Sequence, residues 1–228
     1  MLPRFLMALC ATLLFAACAE NQGQGEQRSE RELIKTIREY VALKRAPKQE
    51  RPPLTRAMLD TVPNSYIEVT IEDTGVFAYL TQQLVRRDGL PGQIVVWQTE
   101  DLVTLSMRDG VLIATRGLRG DIISASALIA GDGRQGPAGQ GRRTYDIRMG
   151  DGASRKLEFQ CLVQDLGAKV IEIVERQNTT RHLIERCEGN LGTIENEYWV
   201  DSTTGVVMQS RQWSGPTTGY LRIRRLTN

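Results

Sequence analysis

Short segments of alternating apolar and polar residues, separated by turn-forming residues, fill the chain from Ser65 onward. Tyr66-Ile67-Glu68-Val69-Thr70-Ile71 alternates, and Asp73-Thr74-Gly75 ends the segment. Period-two alternation of β-branched and aromatic residues predicts a strand with one buried and one wet face. Strand after strand at this spacing predicts an all-β sandwich, barrel or curled meander.

The connections between these segments are short. Asp-Gly pairs at 88–89 and 109–110 suit tight hairpin turns, so neighbouring strands should be antiparallel. Gly167 is one of the glycines that separate the predicted strands after residue 141. The predicted strands are 66–71, 76–85, 93–98, 102–107, 111–115, 142–148, 156–163, 169–176, 182–187, 193–200, 206–213 and 220–226.

A single helix is predicted near the start, over about residues 30–45. Ser29 and Glu32 have the form of a capping box, and apolar residues then recur at helical spacing up to Pro47. We expect its apolar stripe to dock on the β domain, and a helix that binds a partner is the alternative. Residues 54–62 predict a further short helical turn.

Residues 131–141 are rich in glycine and offer little to pack. The next segment, 142–148, alternates like a strand, whereas a phosphate-binding loop needs a helix there, so a solvated loop is predicted. This loop is also the natural seam if the sheet has two halves.

The first seventeen residues have the features of a secretory signal. Arg4 precedes an apolar run from Leu6, and small residues stand just before Cys18. The run is too short to span a bilayer. The cysteine after small residues makes the segment resemble a bacterial lipoprotein signal, which implies cleavage after residue 17 and acylation of Cys18 with fatty acids such as palmitate. The alternative is an ordinary cleaved signal with an incidental cysteine.

Residues 18–28 are then predicted to form a flexible tether. A single domain is predicted over 29–228. Ala19 stands where aspartate is the usual inner-membrane retention signal, so we expect a lipid anchor in the outer membrane, on its periplasmic face.

Two further cysteines, Cys161 and Cys187, remain in the exported chain. An even pair in an oxidising compartment favours a disulfide, and a metal site is the competing interpretation. Neither sulfur has a second His or Cys close by in the sequence, so we predict no metal and no cofactor.

The charge balance is nearly neutral, with 29 Lys plus Arg against 27 Asp plus Glu, and loss of Arg4 with the signal leaves 28 cations. This balance gives no electrostatic reason to expect nucleic acid as a partner.

Several motifs resemble the YjbF/GfcB (YmcC) family of bacterial lipoproteins. A tryptophan strand at 97–99 leads into the Asp-Gly hairpin and the Thr-Arg-Gly-Leu turn at 115–118. Further matches are Glu185-Arg186-Cys187-Glu188-Gly189, then Asn196-Glu197-Tyr198-Trp199-Val200-Asp201, then Gly205-Val206-Val207 and Ser210-Arg211-Gln212.

The resemblance implies an outer-membrane lipoprotein associated with extracellular or capsular polysaccharide, on a large antiparallel β-meander bent into a half-barrel. Implied partners are the membrane through the N-terminal lipid, the polysaccharide, and outer-membrane export proteins. The family offers no agreed catalytic site to carry over, so no catalytic residue is predicted. The 131–141 loop departs from the family pattern.

Three tryptophans are candidate sugar-stacking residues, Trp97, Trp199 and Trp213, although aromatic residues in strands are more often part of the core. His182 is the only histidine, and it needs partners from elsewhere in the chain to take part in catalysis.

Three function classes therefore remain. The first is a non-enzymatic accessory of exopolysaccharide or capsule assembly and export. The second is a periplasmic carrier of lipid or glycan, and the third is a polysaccharide-modifying hydrolase.

Overall fold

The computed structural model describes Arg51 and residues 53–149 and 152–227. The predicted signal peptide, the lipid attachment at Cys18, the tether and the helix over 30–45 all lie outside the described residues.

The described part of the chain is almost entirely β. Its helix, α1, is the single turn Arg56–Leu59, within the range predicted for a short helical turn. The strands are β1 Tyr66–Ile71, β2 Phe77–Arg86, β3 Ile94–Gln98, β4 Thr104–Arg108, β5 Val111–Arg116, β6 Ile122–Ala125, β7 Gln140–Arg148, β8 Ser154–Ile173, β9 Arg176–Gly189, β10 Gly192–Asp201, β11 Val207–Trp213 and β12 Tyr220–Arg225.

These strands form one twelve-stranded antiparallel sheet that is nearly closed into a barrel. Apart from the break at β5 and β6, each strand pairs with its neighbours in the chain, and β1 also pairs with β12. The two edge strands are β5 and β6. They are joined by side-chain hydrogen bonds instead of a backbone ladder. Asp121 accepts from Thr115 Oγ1 at 3.0 Å, and that hydroxyl accepts from the backbone N–H of Ile122 at 2.9 Å. The predicted antiparallel meander is therefore confirmed.

The break in the barrel is not at the seam that the sequence predicts. It falls between β5 and β6, ahead of the glycine-rich segment at 131–141. The predicted strands also omit β6, because a strand of four residues gives too little alternation to detect.

A second correction concerns residues 156–176, for which the sequence predicts two strands divided at Gly167. Residues 156–173 belong to the single long strand β8, and the ladder to β9 shifts register between Asp165 and Ala168. Gly167, at φ +93°, lies in this β-bulge, where glycine accepts a backbone conformation that other residues rarely adopt. The turn comes later, at Val174 and Glu175, which both have positive φ.

The barrel interior is filled by apolar side chains from nearly every strand. A cavity beside Trp97 and Arg225 measures only about 40 Å³. Typical small-molecule pockets begin at about 300 Å³. The main cluster consists of Ile67, Val69, Leu80, Trp97, Leu105, Met107, Leu112, Ile122, Tyr145, Ile147, Phe159, Cys161, Cys187, Ile194, Leu221 and Ile223.

An ion pair lies inside the same interior. Arg143 and Glu185, each at most 1% exposed, join at 2.6 Å between Nη1 and Oε2. Asn196 donates to the same carboxylate oxygen at 2.9 Å. Burial lowers the pKa of the Arg143 guanidinium, but the nearby Tyr145 and Glu185 outweigh burial and raise it overall. The pair links β7, β9 and β10 through the core.

Cys161 and Cys187 are directly opposite in the β8–β9 ladder and form a disulfide inside the barrel. Their sulfurs lie near the Glu185 carboxylate. Since the two sulfurs are bonded to each other, they are not available as thiolate metal ligands.

The glycine-rich segment is a third correction, because it is not simply a solvated loop. Residues 131–134 are exposed, whereas Gly136 and Pro137 are buried. The Gly136 N–H donates to Asp109 O at 2.6 Å, and Gln135 accepts through its side chain from the N–H of Val207 at 3.1 Å. The loop thus packs beside a small cluster containing Val200 and Val207.

The β8–β9 hairpin meets α1 at its tip. Arg56 donates to the carbonyl oxygens of Val174, Leu226 and Ile173, at 3.3, 2.8 and 2.9 Å respectively. Leu59, Ile173 and Leu226 pack together beneath these bonds. Within the described ranges, helices fall short of the length and apolarity that crossing a bilayer requires.

Candidate functional site

The outer face of strands β11, β12, β1 and β2 carries a concentration of charged and aromatic side chains. Successive side chains point to opposite faces of a strand. In β1, Ile67 and Val69 enter the core, so Glu68 and Thr70 point outward. In β12 the same alternation turns Arg222 and Arg224 outward.

Glu68 is the centre of the first group of charges. Its side chain is only 3% exposed, because arginines cover it on the outer side of the sheet. Arg224, on the adjacent strand, donates from Nη2 to both carboxylate oxygens, at 2.9 and 3.0 Å. Arg51 donates from Nη1 to Oε1 at 2.9 Å and from Nη2 to Thr70 at 3.1 Å.

Glu72, just beyond the end of β1, organises a second group of charges. Arg211 donates from Nε to its Oε2 at 2.8 Å, and Arg222 donates from Nη2 to its Oε1 at 3.0 Å. The Arg211 guanidinium also stacks 3.6 Å from the ring centre of Tyr220. Such cation–π contact fixes the orientation of a long side chain.

Together these residues line an open groove of about 410 Å³, which we call the arginine groove. Four guanidinium groups face two carboxylates in its lining, so two positive charges remain uncompensated within it. The lining consists of Arg51, Glu68, Thr70, Glu72, Gln209, Arg211, Arg222 and Arg224.

A second, more aromatic groove of about 710 Å³ lies on the other side of β1. Tyr79 in β2 stands opposite Glu68, and its ring packs edge-on to Phe77 at 5.7 Å between centroids. Burial, and then the negative charge of Glu68, raise the pKa of the Tyr79 hydroxyl. Arg51 lies 5.0 Å over the Phe77 ring and so contacts both grooves. The lining includes Tyr66, Thr81, Gln83, Gln98, Glu100 and Asp101.

Trp199 lies on β10, in a cluster with His182 and Glu197. Its ring stacks on that of His182 with 4.6 Å between centroids and an angle of 8°. His182 Nε2 lies 2.9 Å from Glu197 Oε2. Glu197 in turn stands opposite Arg211 in the β10–β11 ladder, which places this cluster beside the arginine groove.

The other two tryptophans are elsewhere. Trp97 is 3% exposed and belongs to the barrel core. Trp213 packs against the core through Tyr145 and Phe159, at 5.4 and 5.9 Å between ring centroids. The structure thus does not bring the three tryptophans together, and Trp199 is the one that lies beside the candidate site.

Sequence reasoning does not single out the arginine groove. A signal is present in the alternation, since Glu68, Thr70 and Glu72 are spaced to share one face while Arg222 and Arg224 occupy one face of β12. Taken alone, each set of charges is typical of a solvated strand face. The pairing of β1 with β12 is needed to see that they meet.

Comparison with known families identifies the chain. A family model described as "Group 4 capsule polysaccharide lipoprotein gfcB, YjbF" matches residues 30–226. The chain belongs to the YjbF family. The family is one of lipoproteins linked to group 4 capsule polysaccharide, in agreement with the resemblance seen in the sequence.

One solved structure has a similar fold. The hypothetical lipoprotein YmcC from Escherichia coli K12 is similar with a TM-score of 0.64 at 17% identity, over 77% of this chain and 89% of that one. At that identity the likeness concerns the fold alone. A putative exported protein with a YmcC-like fold from Bacteroides fragilis has a TM-score of 0.34 at 8% identity, covering 72% of this chain and 94% of that one. The curated proteins include no match to this chain.

Proposed function

We propose that this protein is a lipid-anchored, non-enzymatic accessory of capsule or exopolysaccharide assembly and export, held at the periplasmic face of the outer membrane. Membership of the YjbF family carries this proposal. The lipoprotein-like signal ending at Cys18 supports the anchor. The charged and aromatic outer face supports a role in contacting polysaccharide or export proteins.

A carrier with an enclosed acyl chain is less well supported than the accessory role. Such a carrier needs an interior volume, whereas the barrel interior is occupied by the side chains of its own core. The small interior cavity of about 40 Å³ is far below the size of an ordinary ligand pocket, about 300 Å³ or more.

The test of the accessory role is deletion of the gene and measurement of surface polysaccharide. We expect surface polysaccharide to fall while growth rate and the lipid composition of the outer membrane stay unchanged. Re-expression of the wild-type chain should restore the polysaccharide. Unchanged polysaccharide in the deletion strain would contradict the proposal, and altered outer-membrane lipid would favour the carrier.

The anchor is tested separately with radiolabelled palmitate. Label should be incorporated into the wild-type chain and lost in Cys18→Ala, and the variant should be lost from the outer-membrane fraction. Label retained by the variant would contradict attachment at Cys18.

A further inference from the structure

We propose that the arginine groove on the outer face of β11, β12 and β1 binds an acidic polysaccharide through the carboxylate groups of its sugar units. This inference rests on the proposed function and adds to it a binding surface, a set of residues and a chemical class of ligand.

The first argument is charge. Arg51, Arg211, Arg222 and Arg224 share only Glu68 and Glu72 within the lining, which leaves two positive charges in the groove. A further carboxylate beside the groove, that of Glu197 on β10, lies outside the lining, where it is 2.9 Å from His182. Even with its charge counted in full, one positive charge remains in excess. A recessed, partly buried groove strengthens the attraction of such charges for an anion, because water screens them less.

The second argument is the geometry of the donors. A guanidinium carries five N–H donors in a planar fork that matches a carboxylate. Arg222 is 57% exposed and gives one Nη to Glu72 within the described residues. The side chain lines the groove and carries further N–H donors beyond the one given to Glu72. Glu68 and Glu72 fix the arginines in place, so little side-chain entropy is lost when a ligand binds.

The third argument distinguishes a polysaccharide from an anionic membrane surface. Segments that bind anionic lipid carry protruding basic residues, often beside apolar side chains that enter the bilayer. Here the arginines are held down by carboxylates, and the uncharged lining residues are Thr70 and Gln209, which can hydrogen-bond to sugar hydroxyls. The adjoining groove supplies Tyr79 and Phe77, joined to the arginine groove through Arg51. A long chain of sugar units can run along this surface across several strands.

The inference is tested with the full mature chain reconstituted in phosphatidylcholine nanodiscs. Three probes are compared, namely polygalacturonate, dextran of matched length and vesicles of phosphatidylglycerol. We expect saturable, salt-sensitive binding of polygalacturonate and much weaker binding of both dextran and the vesicles.

The decisive variant is the double substitution Arg51→Gln with Arg222→Gln. After Arg51→Gln, Glu68 keeps its bond to Arg224, and after Arg222→Gln, Glu72 keeps its bond to Arg211. The fold should therefore be preserved. The matched control is Arg142→Gln with Arg186→Gln, which removes the same charge from exposed ion pairs with Glu158 and Glu188. We expect the groove variant to lose about tenfold in affinity, a change of about 1.4 kcal/mol, and the control to change less than about twofold.

Several outcomes would overturn the inference. These are equal losses in the groove variant and the control, dextran binding as tight as that of polygalacturonate, or binding to the phosphatidylglycerol vesicles alone. If deletion of the gene lowers surface polysaccharide but the purified chain binds no polygalacturonate, the accessory function stands and this inference alone fails.

Discussion

The most consequential single contact inside the barrel is the ion pair between Arg143 and Glu185. Both groups lie away from water, and Glu185 Oε1 is buried without a hydrogen-bond partner among the described residues. A buried pair of this kind adds little net stability, because desolvation of two charges offsets much of their attraction. Breaking it leaves a single buried charge, which is strongly destabilising.

Replacing Arg143 alone should therefore be severe. We expect Arg143→Met to lower the free energy of unfolding by about 3–5 kcal/mol, measured by urea denaturation of the purified chain. The double variant Arg143→Met with Glu185→Leu should recover most of that loss, because no unpaired charge remains. A loss of less than about 1 kcal/mol in the single variant would contradict the role of the pair.

The tyrosines beside this pair predict a loss of stability in alkali. Burial raises the pKa of the Tyr145 hydroxyl to about 12, with Arg143 opposing the rise and Glu185 adding to it, and burial also raises the pKa of Tyr198. A raised pKa means that the folded state holds a proton which the unfolded state releases near pH ~10. The stability from this proton is complete below about pH 10 and is lost as pH rises toward about 12.

The measurement is the free energy of unfolding between about pH 9 and pH 12. It should fall across this range, and Tyr145→Phe should make the fall shallower because one titrating group is removed. A slope unaffected by Tyr145→Phe would contradict the assignment.

At the scale of elements, the glycine-rich loop shows how one segment has two different halves. Gly133 and Gly136 both have positive φ, at +87° and +94°. A Cβ at Gly136 would lie 3.2 Å from Val200 Cγ2, whereas a Cβ at Gly133 would meet nothing within 4 Å. The first position is therefore constrained by packing as well as by backbone conformation.

This difference predicts unequal effects of the same substitution. Gly133→Ala and Gly136→Ala share the strain of positive φ, of the order of 1 kcal/mol. We expect Gly136→Ala to lose about 1 kcal/mol more, because Val200 must move to accept the methyl group. Differential scanning calorimetry of both variants measures the difference. Equal melting temperatures would mean that the loop does not pack on Val200.

The elements also show how much can be predicted from the sequence. Strands with clear alternation and with glycine or Asp-Gly turns are predicted correctly from the sequence, as at β1 and β5. The reason is that side-chain period and turn chemistry are local properties. Gly167 is misinterpreted because a glycine in a bulge and a glycine in a turn have the same local signature. The burial of Gly136 is missed since it depends on Val200 and Val207, which are distant in the sequence.

At the scale of the whole molecule, the two faces of the sheet differ in the side chains that they carry. The interior is a packed core with a buried ion pair and the Cys161–Cys187 disulfide, whereas the outer face gathers the charged and aromatic groups. The arginine groove arises only when the ends of the described chain meet, with Glu68 opposite Arg224 in the ladder between β1 and β12. No local pattern specifies that pairing, so the site could not be located from the sequence.

The central claim is that the outer face serves the polysaccharide-related function while the interior supports the fold. The most direct measurement is surface polysaccharide in the deletion strain complemented with three forms of the chain, each expressed at the same level. These are the wild type, the groove variant Arg51→Gln with Arg222→Gln, and the interior variant Tyr145→Phe. The account predicts that the wild type and Tyr145→Phe restore surface polysaccharide and that the groove variant does not. Full restoration by the groove variant would contradict the account.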